Sequence, residues 1–151
     1  GEVITKNILL YYPTAEKLTA VKHCNNRDIW VLTRAWSSAN YMAWLITANG
    51  VSTNPVISFT PNYLFDPDPF RDNDGTEGYM KFSPDGKKLA ATFARPYSFT
   101  EFSDFNSQTG IVTNTITIPN TYYRLFNPAP DYISSFNYGI EFSPNGQLLY
   151  M

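Results

Sequence analysis

Between Gly78 and Ile118 four short stretches rich in apolar, aromatic and β-branched residues, 79–82, 87–94, 99–105 and 111–118, are separated by polar, turn-forming residues. Runs of four to eight such residues predict strands, and the punctuation between them predicts hairpins. In Ser83-Pro84-Asp85-Gly86 the proline pre-sets φ at the second turn position and the glycine accepts a positive φ at the last; Ser107-Gln108-Thr109-Gly110 closes the next hairpin in the same manner. Helix is disfavoured in the last stretch. Ile111, Val112, Thr113, Thr115, Ile116, Thr117 and Ile118 are β-branched, which restricts χ1 against a helical turn and suits a pleated surface.

The pattern recurs. Gly78-Tyr79-Met80-Lys81-Phe82-Ser83-Pro84-Asp85-Gly86 returns sixty residues later as Tyr138-Gly139-Ile140-Glu141-Phe142-Ser143-Pro144-Asn145-Gly146. An earlier copy offers strands at 18–23, 28–34, 41–47 and 51–58, with its last hairpin turning at Asn49-Gly50. Gly50, Asn54 and Val56 stand sixty residues before Gly110, Asn114 and Ile116, whereas the first strands align at a spacing of 59. That spacing pairs Lys22 with Lys81 and sets Asn25-Asn26 in the place of Pro84-Asp85. The likeness of Val3-Ile4-Thr5-Lys6-Asn7-Ile8-Leu9 to Val51-Ser52-Thr53-Asn54-Pro55-Val56-Ile57 predicts the last strand of a preceding unit within residues 1–12.

Serial four-stranded antiparallel units are how a β-propeller blade reads in sequence. The expected fold is therefore all-β, a propeller-type repeat with blades at 18–77 and 78–137 and the first two strands of a further blade at 138–151. The spacing exceeds the roughly 40 to 45 residues of a WD-repeat blade. The excess lies in two long connections, 59–77 and 119–137, which are themselves related: Leu64-Phe65-Asp66-Pro67-Asp68-Pro69 corresponds to Leu125-Phe126-Asn127-Pro128-Ala129-Pro130. Alternating prolines keep such loops extended and low in conformational entropy. Phe65, Phe70, Tyr122, Tyr123 and Phe126 in these loops are thus ligand-binding candidates, with capping of the sheet ends as the competing role. Trp36, among small residues in 35–40, is a further candidate, while Trp30 and Trp44 fall within strands and are expected between blades.

Composition narrows the function classes. With 43% hydrophobic and 17% aromatic residues the chain is globular in character, and a net charge of −2 with interspersed signs offers no basic stripe for nucleic acid. No apolar run reaches the roughly 18 to 20 residues of a membrane helix. Cys24 and His23 are each the single residue of their type, so no cofactor or metal is expected from a Cys/His ligand set.

The residues Ala15-Glu16-Lys17-Leu18-Thr19-Ala20-Val21-Lys22-His23 and Arg27-Asp28-Ile29-Trp30-Val31, with the Gly-Tyr-Met-Lys and Ser-Pro-Asp-Gly-Lys-Lys-Leu strand pair, carry a resemblance. Nearly the whole chain resembles the N-terminal β-propeller region of Bacteroidetes secreted and cell-surface proteins that end in gliding-motility-associated or type IX sorting domains. The resemblance implies export to the outer surface, a longer parent polypeptide with further blades, and no catalytic residues; His23 and Cys24 then belong to the scaffold.

The acidic run Asp66, Asp68, Asp72, Asp74 and Glu77 invites a calcium reading, but an EF-hand-like spacing meets Phe70 and Lys81 where oxygen ligands are required. No nucleophile elbow or phosphate-cradling glycine loop is present. The expectation is a non-enzymatic module at the cell surface that contacts protein or glycan, or braces its blades, and that self-associates or joins the blades of a longer chain. A glycan-processing enzyme using the 66–77 carboxylates and a calcium-stabilised adhesin module are the alternatives.

Overall fold

A computed structural model of the chain describes residues 3, 6–60, 76–94, 99–119, 121–123, 132–134 and 137–151, with 121–123 and 132–134 described by backbone alone. The first sheet is a meander of β1 (Thr14–Lys22), β2 (Ile29–Ala35) and β3 (Asn40–Thr47), whose far edge carries both β4 (Gly50–Val51) and β5 (Val56–Phe59). The second runs in chain order through β6 (Met80–Phe82), β7 (Lys88–Phe93), β8 (Phe99–Asn106) and β9 (Ile111–Pro119). Two hairpins follow, β10 (Thr121–Tyr123) with β11 (Tyr132–Ser134), and β12 (Glu141–Phe142) with β13 (Leu149–Tyr150). Every pairing is antiparallel and the described residues contain no helix, so the chain is all-β.

The strands of the second sheet fall within a residue or two of the sequence expectation, and four features depart from it. The fourth strand of the first sheet is broken, because Ser52 bonds Leu45 through both its N–H (2.8 Å) and its Oγ (3.1 Å), and Pro55 brings no N–H to a ladder. β1 begins at Thr14, reached through a register shift before Leu18. The connection after β9 contains the β10–β11 hairpin. The described part of residues 1–12 forms no strand, and Ile8 and Leu9 are exposed. A strand exists only by its ladder, and no described residue supplies one there.

The spacing of the first strands is also corrected. His23, Ser83 and Ser143 each donate their N–H across the hairpin, to Asp28, Lys88 and Leu148, at 2.9 Å. Asn26, Gly86 and Gly146 each hold a positive φ, of 59°, 69° and 69°. Asn25, Asp85 and Asn145 each accept an N–H two residues on through their Oδ1. The copies are thus in step at sixty residues, so that Phe82, and not Lys81, is the counterpart of Lys22. A slip of one residue moves every side chain to the opposite face, so this register decides which residues form the core.

Successive sheets stack face on face. The forward face of the first, with Trp30, Leu32, Tyr41 and Ala43, packs on the rear face of the second, with Met80, Leu89, Ala91, Phe93, Phe105 and Val112. Ala90 and Phe102 on the forward face of the second then meet Ile140, Phe142 and Leu149 of the β12–β13 pair. Phe82 and Phe142 occupy matching rear-face positions, the first 4.8 Å from the Phe105 ring and the second 6.2 Å from that of Phe102. Trp30 is buried as expected and donates its indole N–H to Ser107 O at 2.8 Å. A Cβ at Gly110 would come within 2.7 Å of that indole, so this glycine is needed for close packing as well as for its φ of 76°. Trp44 is also buried, but on the rear face of the first sheet with Ala35 and Met42.

Candidate functional site

Antiparallel order brings the end of β2, the start of β3, the end of β5, the start of β6, the end of β7 and the start of β8 to one end of the stack. Four side chains buried between the two sheets meet at that end. Lys17 on β1, Arg34 on β2 and Tyr41 on β3 point forward, and Glu101 on β8 points back between Phe99 and Ser103. Glu101 Oε2 accepts hydrogen bonds from Arg34 Nη1 at 2.5 Å and from the Tyr41 hydroxyl at 2.6 Å. Its other oxygen, Oε1, is buried without a hydrogen-bond partner among the described residues. The Arg34 guanidinium lies 4.6 Å from the Phe93 ring centre and 4.9 Å from that of Tyr41, and the Lys17 ammonium lies 4.4 Å from the Phe93 ring. These are cation–π distances in a water-poor setting.

The cluster holds backbone at both margins. Arg34 Nε donates to Ser38 O in the turn that carries Trp36, and Lys17 Nζ donates to Thr76 O and Glu77 O, each at 3.0 Å, where the chain enters the second sheet. Burial, aided by repulsion from Arg34, lowers the Lys17 pKa from 10.5 to about 7. Burial also raises the Tyr41 pKa well above its usual value, with the Glu101 carboxylate acting in the same direction. Burial opposes the charge on Arg34, but Tyr41 and Glu101 outweigh it and the pKa rises.

In front of Lys17 a cleft of about 250 Å³ opens between the first strands of the sheets, lined by Glu16, Leu18, Gly78, Tyr79, Lys81 and Tyr138. The Tyr79 and Tyr138 rings are half-exposed, 5.2 Å apart and tilted by 59°. The Tyr138 hydroxyl donates to Glu16 Oε2 at 2.9 Å, and this bond holds the phenol pKa above its usual value. Thr92 sets the pair from behind: its Oγ1 donates to Tyr138 O at 2.7 Å and accepts from the Tyr79 N–H at 2.9 Å. Gly78, at φ 126°, is required here, since a Cβ would stand 2.3 Å from Thr92 O.

The sequence candidates fare unevenly. Trp36 is 40% exposed at the same end of the stack, as its surroundings suggest. Tyr122 and Tyr123 lie in β10, where the backbone alone is described, and Phe65, Phe70 and Phe126 lie outside the described residues, as do Asp66, Asp68, Asp72 and Asp74. Among the described residues no group of three His, Cys, Asp or Glu could hold a metal ion, and no helix is long and apolar enough to cross a membrane. His23 accepts the Asn25 N–H at Nδ1 and packs 5.9 Å from the Trp30 ring. Sequence reading singled out Tyr41 only as a possible sugar-stacking ring, which its burial excludes, and missed Glu16, Lys17, Arg34, Tyr79, Glu101 and Tyr138. A signal was present in three of them, for Lys17, Arg34 and Glu101 occupy inward positions of alternating strands, where a charge requires a partner.

No family model matches the chain, and no curated protein matches it. One solved structure, a candidate 6-phosphogluconolactonase from Bacteroides fragilis, is similar in fold at a TM-score of 0.51 and 12% identity. The likeness covers 87% of this chain and 30% of that one, so the chain spans under a third of the structure it resembles. At such identity the likeness concerns the all-β fold.

Proposed function

We propose that the chain is a stretch of a β-propeller working as a non-catalytic binding module on the outer cell surface, with a glycan as its ligand, held in the cleft between Glu16, Tyr79 and Tyr138. The carrying observation is the half-exposed tyrosine pair whose outer hydroxyl is tied to a carboxylate, on a backbone clamped by Thr92. Tilted rings offer apolar faces to a pyranose while the phenol and carboxylate address its hydroxyls, and rigid aromatics bind at low entropic cost. The charged groups behind the cleft are engaged with one another and with backbone carbonyls, an arrangement that braces the two sheets. The surface location rests on the family resemblance.

Titration calorimetry against a panel of neutral and acidic oligosaccharides tests the reading. Binding should be weakened about tenfold by Tyr138→Ala and by Tyr79→Ala, which corresponds to about 1.4 kcal/mol each. Affinity unchanged in both variants removes the cleft from consideration.

A further inference from the structure

Neither ring of the cleft belongs to the repeat. Sixty residues on, Tyr79 becomes Gly139, and sixty residues back, Tyr138 becomes Gly78, whereas the turn residues Ser83 and Gly86 return as Ser143 and Gly146. A scaffold built twice from the same turns does not need the tyrosine pair, which is particular to this one junction.

The charges around the pair are unevenly matched. Lys81 Nζ is paired with Glu141 at 2.9 Å, and the buried Lys17 Nζ donates to Thr76 O and Glu77 O. Both cations that line the cleft are therefore engaged. Glu16 is exposed, and its Oε2 accepts from the neutral Tyr138 hydroxyl; among the described residues no hydrogen bond reaches its Oε1. Glu16 opposes ionisation of the Tyr138 phenol first through that bond and then through its charge, and Tyr79 and Glu77 act in the same direction. A ligand that brings negative charge to the rings is thus repelled, and one that brings positive charge meets a carboxylate and two aromatic faces.

We propose that the cleft selects a glycan bearing a free primary ammonium, a deacetylated amino sugar, with the ammonium against the faces of Tyr79 and Tyr138 and donating to Glu16 Oε1. This rests on the glycan reading of the same cleft and gives the ligand its chemical class. The ammonium supplies the hydrogen-bond donor that Oε1 lacks and the cation that tilted rings attract, whereas an N-acetyl group or a hydroxyl at the same ring position brings no charge to either.

Titration calorimetry at low ionic strength tests this with oligomers of glucosamine, N-acetylglucosamine and glucose in the same linkage, which differ only at the sugar's second carbon. The glucosamine oligomer should bind about tenfold more tightly than either neutral one. Glu16→Gln keeps a carbonyl oxygen for the Tyr138 hydroxyl and removes the charge, so it should abolish that preference while the neutral oligomers bind as before. Asp104→Asn removes a carboxylate on β8 that pairs with Lys88 and does not line the cleft, and it should leave the preference intact. An unchanged far-UV spectrum verifies the fold of each variant. Equal affinity for the three oligomers, lost in Tyr138→Ala, overturns the preference and leaves the glycan reading standing. A preference that survives Glu16→Gln, or that Asp104→Asn removes equally, overturns it as well, since general attraction of a polycation to an acidic protein then accounts for the binding. Binding of none of the three overturns it too, and the glycan reading then depends on the wider panel of oligosaccharides.

Discussion

Glu101 stands where the alternation of β8 asks for an apolar side chain, and its carboxylate is matched by Arg34 and Tyr41 from the facing sheet. Removing one partner of such a pair leaves an uncompensated buried charge, whereas removing both charges restores an apolar contact. Urea denaturation should therefore show Arg34→Met destabilised by about 3–5 kcal/mol and the Arg34→Met, Glu101→Leu double variant recovering most of that loss. Lys17 gives a pH signature. Its pKa falls from 10.5 to about 7 on folding, so between those values the unfolded chain holds a proton that the native chain has released. Stability then rises as pH increases through that window, and the penalty on the buried ammonium is fully present below it. Thermal melts from pH 6 to 10 should show this rise in the wild type and a flatter profile in Lys17→Met. At this scale the sequence displayed the anomaly, a charge at an inward position, but not its resolution, because the partners come from strands about sixty residues apart.

The hairpins are the most legible elements. The turn after β6 and the turn after β12 carry glycine at the left-handed position, and Asn26 fills the same position after β1. Asn26→Gly should therefore change stability by less than about 1 kcal/mol, and Asn26→Val should cost about 1–2 kcal/mol because a β-branched residue resists positive φ. Gly78→Ala should be worse, since both the φ of 126° and the 2.3 Å approach to Thr92 O oppose a Cβ. A fall in melting temperature of several degrees is expected, together with loss of the tyrosine pairing. The first-strand register was misread because matching lysines weighed more than the turn, and a turn's backbone conformation is the firmer marker. The break in the fourth strand was illegible for another reason: a serine hydroxyl replaced a ladder bond, and nothing local announces that substitution.

Across the whole molecule, the bonds that join residues 138–151 to the second sheet among the described residues include the Lys81–Glu141 ion pair and the bonds that Thr92 Oγ1 and the Tyr79 N–H donate to the Tyr138 carbonyl. Thr92→Val keeps the shape and deletes the hydroxyl, so hydrogen exchange should accelerate at residues 138–142 while the amides of β2 and β3 remain protected. The cost should be about 1–2 kcal/mol, confined to the junction. Repetition, the strands of the second sheet, turn chemistry and the all-β class were determined by the sequence alone, because turn residues and glycine placement are local properties of the chain. Which face of each strand meets which neighbour, which charges neutralise one another, and the meeting of Glu16 with Tyr138 across 122 residues were decided only by the tertiary structure. Those are relations between sheets, and they come into being when one face is pressed against another and water is excluded from between them.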